Sequence, residues 1–289
     1  MTAMHGSTGD TMLVNGQPDA VAVVPRGIAR FRLVNGSNSR IYSLFLDDRR
    51  PMHLVATEGG FLRSPIALED LVLSPGERAE ILLDMSDGRT TTLMSGADPN
   101  QGPNGMFGRV QPLLNRLLDR SFPILPIAVD DRLPTHITAL PASLDAAAPA
   151  PSAEVAATRR ISLDMGLGAM MGMAMFDNGN APFGINGRAF DAERIDIAVK
   201  RDTTERWTVE SPMLQHPFHV HGTMFQVLSE EGQPPRPESS GWKDTVLVRE
   251  STELLVRFEQ PAPPNHPFMF HCHILEHEDR GMMGQLTVI

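Results

Sequence analysis

Apolar and polar residues alternate in short stretches along most of the chain. Ile195, Ile197 and Val199 alternate with Asp196, Ala198 and Lys200, and Phe31 and Leu33 with Arg30 and Arg32. Leu254, Val256 and Phe258 fall on one parity, Glu253 and Arg257 on the other. Side chains on a strand alternate faces, so these stretches predict half-buried strands of antiparallel sandwiches. Helical spacing is scarce; Leu113, Leu114, Leu117 and Leu118, after Pro112, predict one short helix.

The order of these signals repeats. An Asn15-Gly16 pair is followed by strand patterns at 29–34 and 77–84; an Asn186-Gly187 pair is followed by 205–209 and 252–258. Matched strands in matched order predict two copies of one sandwich module. Residues 132–160 between them are rich in Ala and Pro and read as a linker. The predicted units are therefore 1–131, the linker 132–160, and 161–289.

Composition agrees and excludes several classes. With 41% apolar and 21% charged residues the chain can build real cores, and 24 glycines with 24 prolines suit a turn-rich all-β protein. The 25 basic residues against 35 acidic ones give a net charge of −10, which argues against a nucleic-acid partner. The single cysteine allows no intrachain disulfide. The first ten residues lack the basic and apolar regions of a signal peptide, and no run approaches the ~18 apolar residues of a membrane span. As written, the chain is expected in the cytoplasm, with no membrane partner.

Seven of the ten histidines lie between positions 216 and 277. One segment carries His216, His219 and His221; the other carries His271, Cys272, His273, His277 and Met282. On strands, His219 and His221 share a face and His216 has the opposite parity; His271 and His273 share a face and Cys272 points the other way. The residues therefore sort into two sets. Cys272, His216, His277 and Met282 can converge on one side, and His219, His221, His271 and His273 on the other. One thiolate, two imidazoles and a weak thioether describe a blue-copper electron-transfer site. Four imidazoles without a thiolate suit further copper ions that bind oxygen. Cys272 is joined through the backbone to both His271 and His273, which gives a short covalent path between the sets. Two other patterns compete. His273-Ile274-Leu275-Glu276-His277 matches the H-x-x-E-H pattern of inverted zinc peptidases, which needs a helix, and Gly281 follows too soon for a long one. A cupin-like metal site around His219 and His221 is the other. Both leave most of the cluster unexplained.

The two segments resemble the C-terminal copper motifs of the multicopper oxidases, which include laccases and bacterial copper-efflux oxidases. The resemblance extends through 241–246, 53–60 and 74–80 and so covers nearly the whole chain. It implies two cupredoxin-like Greek-key β-sandwich domains. It implies type 1 copper at His216, Cys272, His277 and Met282, a type 2 ligand at His219, and type 3 ligands at His221, His271 and His273. Such enzymes take single electrons from a phenol or metal-ion reductant and pass four to dioxygen. Their trinuclear cluster uses eight histidines, four of them from a first domain with two more His-x-His pairs. This chain has none beyond His219/His221 and His271/His273. It resembles domains two and three of a three-domain enzyme with the first domain missing; a periplasmic or secretory signal would sit on that missing part. A protein using type 1 copper alone, a structural relative that has lost copper, and a subunit completed in trans by a separately encoded first domain are the other readings. Glu278 and Asp279 offer a proton relay or a solvated surface. Met165, Met170, Met171, Met173 and Met175 offer Cu(I) thioethers or flexible packing. Residues 211–215 lack the acidic group that cuprous oxidases place there, which leaves phenols open. Trp242 and Asp244 are expected to pack and hydrogen-bond near the copper loop.

Overall fold

The computed structural model describes residues 2–100, 120–145, 154–166 and 183–289. The predicted 113–118 helix and four of the five clustered methionines lie outside them. Among the described residues helix is confined to short turns, chiefly α1 (Thr2–His5) and α2 (Leu275–Glu278). The rest of the regular structure is strand, as the alternation predicts.

The first half runs β1 (Ala22–Pro25), β2 (Ile28–Val34), β3 (Tyr42–Leu46), β4 (Met52–Thr57), β5 (Gly60–Leu68), β6 (Leu71–Leu73), β7 (Arg78–Asp84), β8 (Thr91–Ser95) and β9 (Phe122–Asp130). These form two sheets, ordered β1-β9-β8-β3-β6 and β2-β7-β4-β5. Leu46, Met52, Leu54, Ile81 and Leu83 fill the space between them.

The second half runs β10 (Val155–Met165), β11 (Phe183–Ile185), β12 (Ile197–Val199), β13 (Thr203–Glu210), β14 (His216–Val220), β15 (Met224–Glu230), β16 (Trp242–Lys243), β17 (Thr245–Val248), β18 (Ser251–Phe258), β19 (Phe268–Cys272) and β20 (Met283–Val288). Its sheets are ordered β11-β10-β13-β18-β15-β16 and β12-β20-β19-β14-β17. Trp207 centres this core, with Phe258, Phe270 and Phe218 at ring-centroid distances of 5.6, 6.2 and 6.5 Å. Such tilted pairs add about 0.5–1.5 kcal/mol each beyond area burial. The indole N–H donates to Glu205 Oε2 at 2.8 Å, and Arg159 holds the same carboxylate with two bonds of 2.6 and 2.8 Å.

The Asn-Gly repeat has a direct physical basis. Asn15 (φ 52°) and Gly16 (φ 76°) close one tight turn, Asn186 (φ 52°) and Gly187 (φ 73°) the other. Val14 and Gln17 exchange both backbone bonds at 3.0 Å, and Ile185 and Arg188 at 2.9 and 3.1 Å. Two consecutive positive φ angles make a type I′ turn, which favours Asn-Gly.

Two local expectations differ from the structure. β12 begins at Ile197 rather than Ile195, because Asp196 turns to bond Gln285 and Ile195 stays exposed. β10 begins at Val155, inside the stretch that composition reads as linker. There it pairs in parallel with β13, and Arg159 is tied to Glu205. Met165 is buried at the end of β10, a core packing role.

Contacts between the halves concentrate where the histidines lie. The Trp242 carbonyl accepts from Gly59 N–H and Thr57 Oγ1, both at 2.8 Å. Asn100 clips the backbone of Gln215 from both sides, accepting its N–H at 3.0 Å and donating to its carbonyl at 2.7 Å.

Candidate metal centre

The antiparallel pair β14–β19 builds the centre. Phe218 lies opposite Cys272, and His219 opposite His271. Paired residues share a face, so Cys272 turns inward with Phe218 while His219 and His271 turn outward. His216 has the inward parity. The α2 turn delivers His277, and the backbone places Met282 beside both: Cys272 N–H donates to the Met282 carbonyl at 3.1 Å, and Met282 N–H to the His277 carbonyl at 2.9 Å.

His216, Cys272 and His277 form the inner group. Their ligand atoms lie within 4.8 Å of one another, and all three residues, like Met282, have 0% exposure. Cys272 Sγ is 3.6 Å from His277 Nδ1. The far nitrogen of His277, Nε2, meets the Met4 carbonyl at 3.1 Å, and Phe183 stacks on the ring at 4.7 Å. Ser211 Oγ donates to the Met213 and Leu214 carbonyls, so it accepts from His216 Nδ1–H at 2.7 Å. That fixes the tautomer and leaves His216 Nε2 as a buried lone pair with no partner. Burial, reinforced by His277, holds the His216 imidazole well below its usual range; burial also lowers His277 to about 4. Burial pushes the Cys272 thiol up, so a thiolate here needs a cation beside it. Two neutral imidazoles, an orphaned lone pair and a thiol that ionises only with a cation fit a soft, redox-active metal. A buried thiol alone would not require the imidazoles.

His219, His221 and His271 form the outer group, again with ligand atoms within 4.8 Å. His221 Nε2 and His271 Nε2 face each other at 3.1 Å, which demands a proton or a cation between the lone pairs. His271 Nδ1 lies 3.0 Å from the Cys272 carbonyl and 3.3 Å from Glu278 Oε2. That contact holds the Glu278 carboxyl below its usual range. Burial, with His219 and His271 nearby, lowers His221 to about 4. His273 is adjacent, with ring centroids 5.6 Å from His271 and 5.8 Å from His219. The group opens on a cleft of about 850 Å³ that Trp242, Asp244, Arg257 and Glu259 also line.

The structure thus brings together His216, Cys272 and His277 in one group and His219, His221 and His271 in the other, with Met282 beside the first and His273 beside the second. Only a single helical turn carries His277, too short for the peptidase arrangement. Glu278 touches the outer group, whereas Asp279 is exposed. Sequence reasoning missed the supports: Ser211, Asn100 and the Met4 carbonyl. It quoted 53–60 and 74–80 without a role for Glu58, Glu77 or Arg78. Alternation does not mark Lys243, whose partners Glu58 and Glu77 lie in the first half of the chain.

Two domain families, both described as multicopper oxidase, match the chain, one over residues 157–289 and the other over 2–104. Among solved structures, the laccase-like multi-copper oxidase CueO from Ochrobactrum sp. superposes with a TM-score of 0.86 at 35% identity, covering 100% of this chain and 62% of that one. The multicopper oxidase from Campylobacter jejuni, a metallo-oxidase, gives 0.79 at 29% identity, covering 99% and 59%. Among curated proteins, cell division protein FtsP of Escherichia coli (strain K12) is 41% identical over 98% of this chain and 56% of its own length. FtsP of Proteus mirabilis (strain HI4320) is 36% identical over 99% and 56%. The chain therefore spans about half the length of the curated relatives it matches. The paired sandwiches, the two ligand groups on one strand pair and these likenesses agree: the chain belongs to the multicopper oxidases, a copper-binding family.

Proposed function

We propose that the chain is the copper-carrying part of an oxidase that draws single electrons from a small reductant, a phenol or a metal ion, and delivers them to dioxygen. In this reading His216, Cys272, His277 and Met282 hold type 1 copper, His219 is a type 2 ligand, and His221, His271 and His273 are type 3 ligands. The observation that carries it is the position of Cys272. Its sulfur faces the inner group, while its backbone neighbours His271 and His273 belong to the outer side. Copper, when bound, supplies one-electron redox chemistry and an oxygen-binding site. The protein's residues hold and connect the two positions. Ser211 and the Met4 carbonyl fix the two inner imidazoles. Phe183 and the core exclude water from them. Glu278, beside His271 and partly open to solvent, relays protons. The remaining cluster ligands come from a further domain, in trans or in a longer chain, and the whole works outside the cytoplasm.

The decisive experiment is the absorption spectrum of the copper-loaded chain. An intense thiolate-to-copper band is expected in the wild type and absent in Cys272→Ser with folding unchanged by circular dichroism. No such band in the wild type, or its survival in the variant, would refute the reading.

The FtsP likeness favours a second reading: a role in cell division in which copper transfers electrons only, or serves structure. The intact inner set, from Ser211 to Met282, supports copper loading under either.

A further inference from the structure

Among the described residues the first sandwich adds no ligand to either group, yet one of its turns touches the outer group's framework at three successive residues. The turn joins β6 to β7 and reads Ser74-Pro75-Gly76-Glu77-Arg78. Gly76 (φ 83°) lies against His273: a Cβ there would stand 2.4 Å from His273 Cδ2 and 2.7 Å from Nε2. Glu77 accepts from Lys243 Nζ at 3.2 Å, and its other oxygen is held by Ser74 N–H and Oγ, both at 2.7 Å. Arg78 grips Asp244 with two bonds, Nη1 to Oδ1 at 2.9 Å and Nη2 to Oδ2 at 2.6 Å. A third bond, at 2.8 Å, ties the guanidinium to the Gly76 carbonyl.

Asp244 leads to the ligand. His219 Nδ1–H donates to the Asp244 carbonyl and to Thr245 Oγ1, each at 2.9 Å, and Thr245 Oγ1 donates in turn to Asp244 Oδ1 at 2.8 Å. Protonation at Nδ1 reserves Nε2 for a metal. The Asp244 carboxylate itself is only 3.6 Å from His219 Nδ1. Released from Arg78, it could swing onto that nitrogen and turn the ring. The fork geometry of arginine holds a carboxylate in both position and plane, as lysine cannot.

We propose that this turn is a positioning element for the outer histidine group, with Arg78 aligning His219 through Asp244 and Gly76 seating His273. The inference rests on the outer group being a metal site. Partners of this kind commonly tune metal affinity by about 10–100-fold.

The test titrates the full chain with Cu(II) and reads two populations separately. Thiolate-bound copper is followed by its charge-transfer band, and imidazole-bound copper by its electron paramagnetic resonance signal. Loss of the second signal in His219→Ala assigns it; no such signal in the wild type overturns the metal-site reading and this inference with it. Arg78→Gln is expected to weaken the imidazole-bound population about tenfold or more, with the charge-transfer band unchanged. Asp244→Asn should do the same, and the double variant should cost little beyond either single one. Gly76→Ala should alter the same signal. Unchanged or tighter outer-group binding in Arg78→Gln, or equal weakening of both populations, overturns the proposal. Should Arg78→Gln fail to fold, Arg78→Lys is judged by the same contrast.

Discussion

Asp98 belongs to the first sandwich but acts two residues from the clip on the copper-binding segment. It is 2% exposed, and its carboxylate accepts from Ile41 N–H at 3.1 Å and Asn100 N–H at 2.8 Å. Burial nevertheless prevails and pushes Asp98 up to about 6, against the pull of those bonds and of Arg40. An acid whose folded pKa is raised binds its proton more tightly in the native state, so stability falls as pH rises from the unfolded value near 4 towards 6. Asp98→Asn removes that slope. Urea unfolding at pH 4 and pH 7 should show the variant gaining about 2 kcal/mol on the wild type between the two. A constant difference would show that Asp98 ionises freely in the fold. At this scale the residues of the two candidate ligand groups were legible, because a cysteine among closely spaced histidines is a rare and chemically specific pattern. Their supports were not. Met4 acts through its carbonyl and Asn100 through contact with a backbone 115 residues away, and neither leaves a mark in local sequence.

Strand β16 is two residues long, and a piece so short cannot hold its place by backbone pairing alone. Lys243 anchors it. Its side chain is 2% exposed, with Nζ 2.9 Å from Glu58 Oε2 and 3.2 Å from Glu77 Oε1. Glu58 also accepts from Arg78 N–H at 2.8 Å. Two buried carboxylates around one ammonium are tolerable only while the cation remains. Lys243→Met should therefore cost about 3–5 kcal/mol in urea unfolding at neutral pH, because it strands both acids. Adding Glu58→Gln should return part of that loss, and a near-neutral Lys243→Met would show that water reaches the site. Alternation exposed strands such as β18, whose Thr252, Leu254, Val256 and Phe258 are all buried and whose intervening residues are not. It misjudged β12, where the Asp196 carboxylate accepts from Gln285 N–H in place of a backbone carbonyl. It also has no means of reading a buried lysine, since pattern rules place lysine on the surface unless its partners, here 185 and 166 residues away, are known.

The whole molecule presents an inner group enclosed on every side and an outer group open to a cleft of about 850 Å³. This asymmetry separates loading from turnover. In the proposed reading the inner position draws only on His216, Cys272, His277 and Met282, all within the second sandwich. Reduction of dioxygen to water needs four electrons gathered at one water-shielded site. In the proposed reading the chain brings to it only the pairs His219/His221 and His271/His273, and no other His-x-His pair occurs in the sequence. A second copy of the chain could add none from its first sandwich, which contains no His-x-His pair. The chain spans 56% of the length of its FtsP relatives, which leaves room for a further domain in proteins of this type. The copper-loaded chain should accordingly accept an electron from a phenol, bleaching its thiolate-to-copper band, and then stop. An oxygen electrode should record at most a stoichiometric trace. Adding a separately produced cupredoxin domain with two His-x-His pairs should restore continuous uptake, with four phenol oxidations per dioxygen. Sustained four-electron turnover by the pure chain would show that two histidine pairs suffice, and would sink the half-cluster reading.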